Sequence, residues 1–181
     1  MNTFISMLRG INVSGQKKIR MAELRDLYKK LYFTNVETYV QSGNVVFDSN
    51  EEEQAALSAI IEKEIEQSFG YSVSVLVRTA DDLQKVIDSN PFLNERNEDS
   101  ARLYVTFLSH APLESKLNNL YVAECKKDEF FVKDKEIFLF CPNGYGRTKL
   151  TNNFFEKKLN LSATTRNWKT VNALCNMANK R

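Results

Sequence analysis

The order in which apolar periodicity switches between two and 3.6 residues constrains this chain more than any single motif. Residues 3–9, Thr3-Phe4-Ile5-Ser6-Met7-Leu8-Arg9, are a short apolar run that reads as a buried strand. After a polar loop, apolar residues at positions 21, 24, 27, 28 and 31 follow helical spacing. Residues 36–41 and 44–48 read as two strands around Ser42-Gly43, where glycine supplies a positive φ. A long helix over 51–69 opens with Glu51-Glu52-Glu53, acids suited to the positive end of a helix dipole, and Gly70 stops it. Residues 72–78 close the set as a strand. The order is β-α-β-β-α-β, that of a ferredoxin-like unit.

The pattern then starts again. Thr79-Ala80-Asp81-Asp82 caps a linking helix that ends near Asn90-Pro91, and residues 94–99 are a polar loop. A strand over 101–108, a helix over 112–121 led by Pro112, and strands over 128–133 and 136–141 follow. Residues 142–146, Pro142-Asn143-Gly144-Tyr145-Gly146, break the chain before helices over 149–159 and from about 167 to 179. The second half reads β-α-β-β-α, with a helix where the closing strand is expected. The division implied is a first unit over 1–78, a linking helix and loop over 79–100, and a second unit over 101–181 with its C-terminal helix, in one compact protein. The fold class is α+β with antiparallel sheets.

Composition excludes several classes. Hydrophobic residues make up 43% and charged residues 27% of the 181, ordinary values for a globular chain. No apolar run approaches the roughly 18 residues of a membrane span, and the N-terminus has no basic segment or cleavage site. A cytoplasmic protein without membrane contact is expected. Cys125, Cys141 and Cys175 form no C-x-x-C pair and read as reduced thiols. His110 is the sole histidine, so neither a Ser-His-Asp triad nor a usual transition-metal site is expected, and no cofactor motif is present. Net charge is +2 but segregated: +5 over residues 1–30, −10 over 31–142 and +7 over 143–181. If the two basic ends meet, they make a surface that attracts an anion and screens with salt. The other reading is that the ends pair with the acidic middle.

Four polar stretches concentrate the candidate chemistry. Arg9-Gly10-Ile11-Asn12-Val13-Ser14-Gly15-Gln16-Lys17-Lys18 follows a strand and precedes a helix, a position that can offer backbone N–H groups and cations to a phosphate. It is neither a Walker A loop nor a G-x-G-x-x-G fingerprint, and the sequence alone favours a solvated βα loop whose glycines permit turns. Gln41-Ser42-Gly43-Asn44 places two amides around a tight turn. Residues 143–153 carry Arg147 and Lys149 at the start of a predicted helix, where cations oppose the dipole unless an anion is bound. Thr164-Thr165-Arg166-Asn167-Trp168-Lys169-Thr170 leads into the last helix with the only tryptophan, which reads as a core anchor or as a stacking platform.

Taken together, Leu8-Arg9-Gly10-Ile11-Asn12-Val13 with Lys18 and Met21, Tyr39-Val40-Gln41-Ser42-Gly43-Asn44-Val45-Val46-Phe47, Gly146-Arg147-Thr148-Lys149-Leu150-Thr151-Asn152 and Thr165-Arg166-Asn167-Trp168-Lys169-Thr170-Val171 resemble the bacterial family of domain of unknown function 1697. The resemblance implies two interlocked ferredoxin-like units and no assigned activity. It marks Arg9, Asn12, Lys18, Gln41, Ser42, Asn44, Arg147, Lys149, Arg166, Asn167 and Trp168 as signature positions. The expectation drawn from them is a basic site, formed by the N-terminal loop and the C-terminal segment, for a nucleotide or a nucleic-acid backbone. The other reading is a non-enzymatic interaction module whose signature residues hold the structure together. No nucleophile stands beside a base, so phosphoryl chemistry, which needs mainly positioning and positive charge, is the reaction type least excluded.

Overall fold

The computed structural model describes residues 1–118, 120 and 127–181. It divides into two compact units: Met1–Gln84 together with Ala173–Arg181, and Lys85–Asn172.

In the first unit, β1 (Asn2–Leu8), α1 (Met21–Lys30), β2 (Thr34–Tyr39), β3 (Asn44–Ser49), α2 (Gln54–Phe69) and β4 (Val75–Thr79) follow one another. The strands form one sheet in the order β2-β3-β1-β4, every pair antiparallel. Phe4 and Leu8 of β1, Val45 and Phe47 of β3, and Val75 and Val77 of β4 alternate into one core with Leu24, Leu27 and Tyr28 of α1 and Leu57, Ile61 and Ile65 of α2. The edge-on rings of Tyr28 and Phe47 lie 5.3 Å apart, and Phe33 and Phe47 lie 4.6 Å apart. Within this apolar layer the Ser6 and Tyr28 hydroxyls share a 2.7 Å hydrogen bond. Burial pushes the Tyr28 phenol well above its ordinary range, against the opposing pull of Ser6.

The local chemistry moves two predicted edges. The turn begins at Val40, whose φ of 50° ends β2 at Tyr39, two residues short of expectation. The three glutamates stand outside α2, which has no acid in its first turn; Glu51 instead accepts the N–H groups of Glu52 and Glu53. Gly70 closes α2 in the left-handed conformation, as expected. Thr79 and Asp82 form a reciprocal capping box at the start of α3 (Ala80–Asp88): Thr79 Oγ1 accepts the Asp82 N–H and Asp82 Oδ2 accepts the Thr79 N–H.

The second unit carries α4 (Pro91–Asn94), β5 (Leu103–Leu108), α5 (Glu114–Leu117), β6 (Glu129–Lys133), β7 (Glu136–Phe140), α6 (Asn152–Leu159) and β8 (Ala163–Asn167), followed by α7 (Trp168–Ala178). Its sheet order, β6-β7-β5-β8, repeats that of the first, again with every pair antiparallel. A closing strand is therefore present, which corrects the expectation of a helix there. Ala-Thr-Thr-Arg-Asn has no apolar run to announce a strand, yet it pairs with β5 from Ala163↔Leu108 to Asn167↔Tyr104. The helix predicted over 112–121 is the short α5; positions 119 and 121 of that span, and Cys125, lie outside the described residues. α4 lies between the end of the predicted linking helix and the predicted loop, overlapping the loop only at Asn94: Asn90 caps it and Pro91 is its first residue. Arg96 lies over the rings of Phe92 and Phe140 at 5.5 and 5.6 Å and bridges Glu98 and Glu129. Among the described residues no helix is long and apolar enough to cross a membrane.

Candidate functional site

Six of the eleven signature residues fall in the first unit, at one end of its sheet. The Leu8 N–H donates to the Gly43 carbonyl at 2.8 Å, which closes the Gln41–Asn44 turn onto the loop after β1. Gly43 has φ +74°, and a Cβ there would stand 2.7 Å from Ile11 Cδ1 and 2.8 Å from Leu8 Cβ, so only glycine fits this approach. Asn12 joins the loop to the turn. Its Nδ2 donates to the carbonyls of Ile19 and Gln41, and its Oδ1 accepts the Ile19 N–H, all at 2.9 Å. Asn44 is buried, and its Nδ2 donates to the Tyr39 carbonyl and to Ser42 Oγ, both at 3.0 Å. Both amides therefore hold backbone in place.

The loop so held is rich in left-handed backbone: Gly10, Asn12, Ser14, Gly15 and Lys17 all have positive φ. Val13–Gln16 is a tight turn with Ser14 and Gly15 at its centre, closed by the Gln16 N–H on the Val13 carbonyl at 2.9 Å. Among the described residues, the N–H groups of Ser14 and Gly15 have no protein acceptor. Lys18 is exposed, and its Cε passes 3.9 Å from where a Gly15 Cβ would lie. Lys17 Nζ is tied to the Ser72 carbonyl at 2.7 Å. Arg9 is half-buried and its N–H donates to the Ser74 carbonyl, while Gln41 and Ser42 are exposed.

The other five signature residues belong to the second unit. α6 starts at Asn152 behind a Thr151 cap, whose Oγ1 accepts the Phe154 N–H at 3.2 Å. Arg147 and Lys149 thus precede the helix rather than begin it, which corrects the reading that they oppose its dipole. Both are exposed, Arg147 closing a 3-10 turn over Tyr145–Arg147. That turn is fastened to β8. Thr165 Oγ1 spends its one proton on Asn152 Oδ1 at 2.6 Å and accepts from the Tyr145 hydroxyl at 3.1 Å, so Thr106 is the donor in its 2.7 Å bond to Thr165. Arg166 is buried, with Nη1 donating to Thr164 Oγ1 at 2.8 Å and the Thr165 carbonyl at 2.9 Å. Asn167 caps α7 by accepting the Thr170 N–H at 2.8 Å, and Trp168 is buried.

Sequence reasoning passed over Thr106, Tyr104 and Arg102. Tyr104 and Tyr145 stack at 5.1 Å, and an Arg102 nitrogen lies 3.8 Å from where a Gly144 Cβ would be. The signal was the tyrosine inside Gly144-Tyr145-Gly146, which only a known partner strand makes legible. His110 is exposed, and Cys141 and Cys175 are buried and form no disulfide among the described residues. Among the described residues no group of three His, Cys, Asp or Glu could hold a metal ion.

The family model described as protein of unknown function (DUF1697) matches residues 1–138. The chain belongs to this family. The match takes in the Arg9–Lys18 loop and the Gln41–Asn44 turn; the stretches around Arg147 and Arg166 lie beyond it. A solved structure of a conserved bacterial protein from Streptococcus pneumoniae is similar over 98% of each chain, with 26% identity and a TM-score of 0.77. A search of curated proteins found no match.

Proposed function

We propose that this DUF1697 protein binds a phosphate-bearing ligand, a nucleotide or a nucleic-acid backbone, at the loop between β1 and α1. The observation that carries this reading is the pair of N–H groups at Ser14 and Gly15 without a protein acceptor among the described residues, under the stem of exposed Lys18. Successive donors in left-handed backbone form a concavity suited to an anion. The loop is set before any ligand arrives, because Asn12 fixes both its ends, so little ordering entropy opposes binding. Residues 1–20 carry four cations, Arg9, Lys17, Lys18 and Arg20, and no acid. By itself, the second unit also presents a basic loop with Arg147 and Lys149 exposed beside the tyrosine pair. The reading takes each unit as ferredoxin-like, supported by its β-α-β-β-α-β order and its strand order.

Titration of a nucleotide and oligonucleotide panel at about 50 and 200 mM salt tests it. Binding should weaken with salt, and Lys18→Ala should weaken it across all sequences and lower the salt slope by about one. No binding at any salt, or a Lys18→Ala protein that binds as well as wild type, sinks the proposal. A structural reading is favoured for the other signature residues, since Asn12, Asn44, Arg166 and Asn167 spend their polar atoms on backbone and neighbouring threonine. Under it Arg166→Ala lowers stability by about 1.5–3 kcal/mol, the scale of bonds from a charged donor.

A further inference from the structure

The first unit holds a second polar constellation, at the end of β1 remote from the Arg9–Lys18 loop. Asp48 of β3 is 7% exposed, and both its oxygens are engaged by neutral donors. Thr3 Oγ1 donates to Oδ1 at 2.8 Å, and Asn35 Nδ2 donates to Oδ2 at 2.6 Å. Asn35 has φ 49° and stands where the β2–β3 register slips between Thr34 and Glu37, an irregularity that re-aims side chains along an edge strand. Burial pushes the Asp48 carboxyl up, but Asn35, Thr3 and Arg181 together hold it below its ordinary range. Two neutral hydrogen bonds fix the carboxylate in place, and with Arg181 they keep it charged.

Arg181 occupies this position. Its Nη2 lies 2.7 Å from Glu37 Oε1 and its Nη1 3.5 Å from Asp48 Oδ1, and its side chain is 11% exposed. A planar guanidinium with forked donors suits two carboxylates set apart in this way, and it sheds water more readily than an ammonium. Lys29 makes the contrast: it lines the same pocket, yet it is exposed and its bridge runs to Asp26, at 3.7 Å. Beside Arg181 the pocket is open, with a volume of about 670 Å³, bounded by Met1, Val36 and Lys29. That volume is in the range of small-molecule sites.

We infer that this pocket recognises a guanidinium group, that Arg181 fills it in cis, and that with Arg181 withdrawn it accepts the guanidinium of a small arginine-like molecule whose remainder lies in the open volume. A tethered occupant competes at an effective concentration near millimolar, so the wild-type chain masks the site. This inference is independent of phosphate binding at the β1–α1 loop.

Calorimetry and amide-resolved NMR on the full chain test it, with agmatine as probe and butylamine as an ammonium control. Arg181→Ala should bind agmatine at least about tenfold more tightly than wild type does, with shifts at Asn35 and Glu37. Butylamine should bind about tenfold or more weakly than agmatine, and Asp48→Asn in the Arg181→Ala background should abolish the agmatine shifts. If Arg181→Ala folds poorly, a saturable rise in melting temperature with agmatine and not with butylamine gives the same answer. Arg181→Lys, which keeps the charge without the fork, should also be displaced by agmatine. Equal binding of the two amines, or no agmatine binding to either variant, overturns the inference.

Discussion

Asn12→Ala isolates what the amide in the β1–α1 loop does. Three hydrogen bonds disappear, two from Nδ2 and one to Oδ1. At about 0.5–1.5 kcal/mol each, their net loss is about 1.5–4.5 kcal/mol. The position has φ 56°, which asparagine tolerates and alanine does not, and this adds about 1 kcal/mol. Ile19 is buried at 2% exposure, so its N–H and carbonyl gain little from water in exchange. A total of about 2.5–5.5 kcal/mol is expected. Asn12→Gly removes the same bonds without the φ penalty and should be about 1 kcal/mol milder. Asn12→Asp keeps an acceptor for the Ile19 N–H but sets a carboxylate against two carbonyls, and should be no milder than alanine.

Urea unfolding followed by far-ultraviolet circular dichroism gives the stability differences, and hydrogen exchange at the Ile19 amide locates them. The reasoning fails if Asn12→Ala lies within about 0.5 kcal/mol of wild type and Ile19 exchange is unchanged. That outcome, with nucleotide binding lost, would instead make Asn12 a ligand-contacting residue.

Other perturbations probe neighbouring parts of the structure. Gly43→Ala drives a methyl into Ile11 and Leu8 at a φ of +74°; summing overpacking and backbone strain gives a loss of about 2–5 kcal/mol by urea unfolding, and a neutral result would contradict the close approach. Ser6→Ala should cost more than Tyr28→Phe, about 1–3 against about 1 kcal/mol, because it strands the buried phenol while the reverse change leaves Ser6 the Val45 carbonyl. Asp48 titrates below its ordinary 3.8 when folded, so its contribution is complete above that value and is lost as pH falls through the folded value. Asp48→Asn should therefore flatten the acid limb of the stability–pH curve, and an unchanged limb would show that the carboxylate is not linked to folding. Thr165→Val removes the hydroxyl that receives Tyr145 and Thr106, and should raise hydrogen exchange across Tyr145–Arg147 without moving the Ile19 amide.

The first unit was legible because its strands are apolar, α1 carries a clear 3.6 period and Gly70 marks the end of α2. Phe4, Leu8, Val45 and Phe47 announce their strands by hydrophobicity alone. β8 was illegible for the converse reason. Its register with β5 sets Thr165 opposite Thr106 and Arg166 opposite Val105, so it is a strand through tertiary pairing and a hydroxyl network, neither of which composition announces. The start of α6 was misplaced because two hydroxyls shape its approach: Thr148 Oγ1 accepts the Leu150 N–H in a turn and Thr151 Oγ1 accepts the Phe154 N–H as the cap, which delays the helix to Asn152.

The signature positions show a further limit. Asparagine, glycine and arginine in polar loops suggest ligand contact and backbone support with equal force, because both need short polar groups and tolerance of positive φ. The proposed division follows where the polar atoms go. Asn12 and Asn44 turn inward to carbonyls, and Arg166 to threonine and its own strand, whereas Lys18, Arg147 and Lys149 stand exposed. The two roles depend on each other. An anion site made of backbone N–H groups requires a loop that holds a left-handed course without a ligand, and Asn12 and Gly43 supply that rigidity from beneath. Substitutions at the supporting positions should therefore lower stability and binding together, while Lys18→Ala should lower binding alone.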